Sequence, residues 1–138
     1  MKILVIDAQG GGLGRQLIAM IRKELPEDDI TAVGTNATAT AAMLRAGASA
    51  AATGENAVRV ACRTADVIIG PIGIVIADSM LGEITPAMAV CVAQADAKRI
   101  LIPFPNCDNY IAGTEGLGTG RLVGDAVRRL VEVCKGEG

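Results

Sequence analysis

Short apolar runs bounded by Gly, Pro and Asp alternate along the chain with longer stretches in which apolar residues recur at helical spacing. Strands covered by helices on both faces read as nearly continuous apolar runs, so the pattern predicts a parallel sheet. It places strands at about 2–7, 29–34, 48–52, 66–70 and 99–103, the third being the weakest. Between the first two, Leu13, Leu17, Ile18, Ile21 and Leu25 share one helical face. Arg15, Gln16, Arg22, Lys23 and Glu24 occupy the other, and Pro26 ends the helix. A second helix is expected over 37–46, with Asn36 as its N-cap and Gly47 as its left-handed stop.

Thr53 or Gly54 is positioned to cap a third helix over 55–63. Thr85-Pro86 opens a fourth, because proline at the first helical position gives up an amide that has no intrahelical partner. The last helix, 120–134, carries an apolar stripe of Leu122, Val123, Ala126, Val127, Leu130, Val131 and Cys134. Its other side spaces Arg121/Asp125, Asp125/Arg129 and Arg128/Glu132 four residues apart. The alternation predicts an α/β, three-layer, Rossmann-like fold, with a mostly parallel sheet of about five strands and right-handed crossovers, over residues 1–138 as a single domain.

Composition narrows the chemistry. The chain has 138 residues, half of them apolar and 23 of them alanine, enough for one core and too few for a second domain. It has no histidine, which excludes Ser-His-Asp triads, Cys-His dyads and His-bearing zinc sites. Proton transfer is left to carboxylates, Lys, Cys or Tyr110. A net charge of −2, with only Phe104 and Tyr110 available for base stacking, argues against nucleic acid as a partner. The cysteines at 62, 91, 107 and 134 form no CxxC pair and no signal-peptide pattern precedes them, so reduced thiols and a cytoplasmic location are expected. The longest apolar stretch, Val67 to Ala77, is only about half a bilayer span, and no membrane segment is expected. No metal-ligating set is apparent.

The most specific chemical signal is Asp7-Ala8-Gln9-Gly10-Gly11-Gly12-Leu13-Gly14, at the end of the first strand and the start of the first helix. Glycines there let a backbone approach a phosphate, and the free amides of a helix N-terminus complement its charge. Gln9, Gly10, Gly11, Gly12, Leu13 and Gly14 are therefore candidate ligand-binding residues. As GxGxxG the loop has Gln9 in place of the first glycine, and as GxxxGxG it has Ala8 there. The alternative is a tight turn whose glycines serve helix packing alone. A NAD-type site calls for an acid at the end of the second strand, where this chain has Gly34-Thr35-Asn36. The neutral side chains of Thr35 and Asn36 suit a 2′-phosphate or a different nucleotide, so NADP or another nucleotide is the candidate cofactor; Asn36 as a helix cap is the competing reading. Tyr110 is followed by Ile111, Ala112, Gly113 and Thr114, so there is no Tyr-x-x-x-Lys pair to support hydride transfer.

Thr53, Gly54, Glu55 and Asn56 are further ligand candidates at a helix start, with capping as the alternative. Gly70 and Pro71, also ligand candidates, begin a segment running to Glu83 that is too apolar for a solvated loop. Its stretch from Ile72 to Leu81 is read as a homodimer contact, or else as a pocket wall with Asp78, Ser79 and Glu83 as its polar groups. Asp78 and Glu83 are candidate acid/base residues. Cys107, in the long loop 103–110, is the candidate nucleophile, while Cys62, Cys91 and Cys134 fit core positions.

The blocks Asp7 to Gly14, Gly34 to Ala37, Thr53 to Ala57, Ile69 to Gly73 and Ser79 to Pro86 together resemble a family of short bacterial proteins of unknown function, found largely in anaerobes. The resemblance covers the whole chain and implies a Rossmann-like single domain; it carries over no catalytic residue. The leading functional expectation is a cytoplasmic homodimer that binds a nucleotide, dinucleotide or other phosphate-bearing small molecule at the glycine loop. The alternatives are a small enzyme using Asp78 or Glu83 on a phosphate-anchored substrate, and a non-catalytic homo-oligomeric scaffold.

Overall fold

Ile3, Leu4, Val5 and Ile6 are all buried, as expected of a strand with helices on both sides, and they form the centre of the sheet. The computed structural model describes residues 1–104 and 108–136. Its strands are β1 (Lys2–Asp7), β2 (Asp29–Gly34), β3 (Ala50–Thr53), β4 (Val67–Pro71) and β5 (Lys98–Ile102). They form one sheet in the order β3-β2-β1-β4-β5, with every pair parallel. The helices are α1 (Gly12–Glu24), α2 (Ala37–Arg45), α3 (Glu55–Cys62), α4 (Pro86–Gln94) and α5 (Thr119–Cys134), and a 3-10 turn spans Ile72–Val75. This is a Rossmann-like α/β arrangement; the strands and α-helices lie within two residues of the expected bounds, and the 3-10 turn is an element that was not expected.

Alternation along β1 divides the core. Ile3 and Val5 pack with Leu17, Ile21, Met43 and Leu130, from α1, α2 and α5. Leu4 and Ile6 pack on the other face with Val58, Cys62, Met88 and Val92, from α3 and α4. The expected caps are in place: Asn36 Oδ1 accepts the Ala39 amide at 2.9 Å and Thr85 Oγ1 accepts the Met88 amide at 3.1 Å. The residue before α3 is Gly54, with no side-chain cap, so Thr53 does not fill that role. Cys62 is buried, and loss of hydration pushes its thiol up to about 11. Along α5, Arg128 reaches Glu132 at 2.8 Å and also Asp125, three residues back, at 2.7 Å.

The apolar segment after β4 divides between core and surface: its 3-10 turn folds back onto the α3–α4 side of the core and leaves Ile74 fully buried, while Ile72, Val75, Ile76 and Met80 are half-buried. Ile84, at the far end, is buried too. Of the segment from Ile72 to Leu81, Leu81 is the one large apolar side chain left fully exposed, at 95%. Among the described residues, no helix is long and apolar enough to cross a membrane.

Candidate functional site

The strand order reverses direction between β1 and β4: the chain moves outward through β2 and β3 on one side, and through β5 on the other. Open α/β sheets gather ligands at such a point, beyond the carboxyl ends of the strands. A cleft of about 780 Å³ lies there. Its floor is Asp7 to Leu13, and its walls are Pro71, Gly73, residues 76–81, Phe104, Asp108 and Asn109. Tyr110, next along from Asn109, is 74% exposed.

The glycine loop is held from beneath by Asp7. One carboxylate oxygen accepts the Ala8 amide at 2.8 Å, and the other accepts the Gly14 amide, in the first turn of α1, at 2.7 Å. Burial raises the Asp7 carboxyl above the ordinary range, opposed by these two hydrogen bonds, and the negative charge of Glu83 adds to the rise. The loop turns through left-handed backbone at Gln9 (φ +54°) and Gly11 (φ +73°).

Its glycines serve different ends. A β-carbon at Gly11 would lie 2.8 Å from the Ala39 backbone, and one at Gly14 would lie 2.5 Å from Met43 Sδ, so both let α2 approach α1 closely. Gly10 and Gly12 have nothing within 4 Å of a β-carbon, and both line the cleft. Packing therefore accounts for Gly11 and Gly14 and leaves Gly10 and Gly12 without a structural reason. The amides of Gly10, Gly12 and Leu13 have no acceptor among the described residues.

Beside the loop stands Glu83. Its Oε1 accepts three hydrogen bonds: from the Gln9 amide at 2.8 Å, Thr35 Oγ1 at 2.6 Å and Asn36 Nδ2 at 2.8 Å. The Thr35 hydroxyl, with the Gln9 amide and the Asn36 carboxamide, holds the Glu83 carboxyl below its usual value, against a smaller opposing effect of burial. Asn36 Nδ2 also donates to the Gln9 carbonyl at 2.9 Å. Both polar ends of Asn36 are thus engaged, one capping α2 and one on the clasp.

The segment that delivers Glu83 is a closed loop. The Asp78 amide donates to the Ile84 carbonyl at 2.7 Å, and the Ile84 amide donates back to Ser79 at 3.3 Å. Closure places Asp78, Met80 and Leu81 at φ +63°, +54° and +59°, where non-glycine residues are strained, followed by Gly82 at +85°.

Of the residues singled out from sequence, Gln9, Gly10, Gly11, Gly12, Leu13, Pro71, Asp78 and Ser79 meet at the cleft. Gly14 is covered by Met43. A β-carbon at Gly70 would lie 2.4 Å from the Ile6 carbonyl, so that glycine serves the approach of β4 to β1. Thr35, Asn36 and Glu83 form the clasp at its side. Thr53, Gly54, Glu55 and Asn56 do not line the cleft: Thr53 pairs its hydroxyl with Thr40 at 2.7 Å, and Glu55 bonds Thr85 and lies 3.8 Å from Arg59. Cys107 lies outside the described residues. Sequence reasoning missed Asp7, Phe104, Asp108 and Asn109 as lining residues; the signal for them is the strand order, which puts the loops after β1, β4 and β5 side by side. The described lining includes Asp7, Asp78 and Asp108 and no Lys or Arg. Among the described residues, no group of three His, Cys, Asp or Glu is placed to hold a metal ion.

A family model described as a domain of unknown function, DUF3842, matches residues 2–135. The chain belongs to the DUF3842 family. No curated protein and no solved structure matches this DUF3842 chain significantly.

Proposed function

We propose that this DUF3842 chain binds a small molecule by seating one phosphate, or a comparable anionic group, on the amides of Gly10, Gly12 and Leu13. The rest of the molecule lies in the cleft toward β4 and β5. The observation that carries this reading is the pair of glycines, Gly10 and Gly12, that face open cleft and are required by no packing contact. The cleft volume falls in the range of small-molecule sites, roughly 300–1,000 Å³. Leu13, Ile76, Met80 and Phe104 supply an apolar lining for the body of such a ligand. Asp78 and Asp108 supply hydroxyl acceptors.

Of the two carboxylates expected to serve as acid or base, Asp78 lines the cleft, whereas one oxygen of Glu83 is saturated by three donors. An enzymatic role therefore falls to Asp78 rather than Glu83. A cytoplasmic location and the absence of a nucleic-acid partner remain part of the reading, on the net charge of −2 and the scarcity of aromatic residues. A homodimer contact through residues 72–81 is the second reading, carried by the exposed Leu81 and the half-buried Ile72, Val75, Ile76 and Met80 rather than by Ile74.

Isothermal calorimetry of the unmodified chain and of Gly12→Val, against mononucleotides and dinucleotides, tests the proposal. Binding by the unmodified chain that disappears in a variant of unchanged melting temperature supports it. Equal affinity in both chains places the ligand elsewhere, and no heat from any ligand at millimolar concentration removes the reading.

A further inference from the structure

An acid does reach the end of β2, and it comes from far along the chain. In dinucleotide-binding sheets the ligand lies across the crevice, with one nucleoside half over the end of β2, where an acid accepts from its ribose. Here the groups at that end are Thr35 and Asn36, and both donate to Glu83 Oε1, which also takes the Gln9 amide of the glycine loop. None of Thr35, Asn36 and Glu83 lines the cleft, whose lining comes from the β1 loop and the β4 and β5 sides alone.

We infer that the site takes a ligand from one side of the switch point only: a mononucleotide-sized molecule with a single phosphate group, to the exclusion of dinucleotides. The inference rests on the reading above and narrows its ligand class. Two observations carry it. First, the clasp occupies the place of the second nucleoside half. A dinucleotide would have to displace a carboxylate that accepts three hydrogen bonds, on a loop whose next residue, Ile84, is anchored in the core. Second, the charge is wrong for a 2′-phosphate. Glu83 stands within hydrogen-bond distance of the groups that would receive a 2′-phosphate, and the described cleft lining holds acids without a Lys or Arg to offset them. The neutral groups that suggested NADP in the sequence are thus satisfied by the protein's own anion, and NADP becomes the least favoured of the common nucleotides.

The deciding experiment is calorimetry at neutral pH on the full chain and on Glu83→Ala, with AMP and FMN as single-phosphate probes and NAD and NADP as dinucleotides. The expected result is that AMP or FMN binds the unmodified chain at least about tenfold tighter than either dinucleotide. The gap to NAD or NADP should narrow by a similar factor in Glu83→Ala. NAD or NADP binding the unmodified chain as tightly as the best mononucleotide overturns the inference and leaves the proposed site standing. Silence from all four probes overturns both. If Glu83→Ala fails to fold, the comparison of the four probes on the unmodified chain decides alone.

Discussion

Thr35 Oγ1 donates to Glu83 Oε1 at 2.6 Å, tying the loop that precedes α4 to the end of β2 across 48 positions of sequence. Because this contact lowers the Glu83 pKa in the folded state, the ionised form stabilises the fold. That contribution is full above the ordinary glutamate value of about 4.3 and is lost as the pH falls through the depressed folded-state value. Glu83→Gln is therefore expected to melt below the unmodified chain at pH 7, by about 1 kcal/mol of stability. The difference should close in acid. Urea titrations of both chains at pH 7 and near pH 3 check this, and a difference independent of pH contradicts it.

Asp7 has the opposite sign. Its folded-state pKa is raised, chiefly by burial, so its favourable contribution is full below the ordinary aspartate value of about 3.9 and is lost as the pH rises through the raised value. Relative to a neutral Asp7→Asn chain, the unmodified protein should lose stability between pH 4 and neutrality, opposite to the Glu83 comparison. Asp7→Ala, which leaves the Ala8 and Gly14 amides without their acceptor, should cost about 2 kcal/mol near pH 4 and less toward neutrality, as the unmodified chain loses its pH-dependent contribution. Denaturation midpoints across the pH series measure both effects.

Ile74→Asp buries a carboxylate at a fully enclosed position and should cost more than about 4 kcal/mol, giving an unfolded or aggregated product. A soluble, folded monomer from this substitution would instead return the segment to the surface. Size-exclusion chromatography with circular dichroism distinguishes the two.

Leu81 combines near-complete exposure with a φ of +59°, so it contributes little burial and carries left-handed strain. Leu81→Gly should raise stability by about 0.5 kcal/mol, the relief of strain exceeding the extra freedom glycine gives the unfolded chain. A fall in melting temperature would mean that the side chain makes a stabilising contact on the loop.

The strands were legible because β4 and residues 3–6 of β1 are buried on both faces and are written with apolar residues and glycine alone. β3 read weakly because Ala50, Ala51 and Ala52 are small and half-exposed to exposed, which leaves little hydrophobic signal at a sheet edge. Asn36 and Thr85 were legible as caps because capping depends on residues three apart. The glycine loop was legible as a place, but its division into packing and open glycines was not, since Ala39 and Met43 arrive from another helix. The partners of Glu83 and the burial of Ile74 were not legible for a related reason. One depends on donors supplied by two other strand ends, the other on a turn that folds back, and neither leaves a periodic trace in its own segment.

Tyr110 has a further consequence. It is the single tyrosine of a chain that has no tryptophan, it is already three-quarters exposed, and it adjoins the cleft through Asn109. Unfolding moves it from one aqueous setting to another, so its emission is a poor gauge of the core. The same isolation makes it a clean optical reporter for whatever enters the cleft, read against a near-ultraviolet background almost empty of other protein signal.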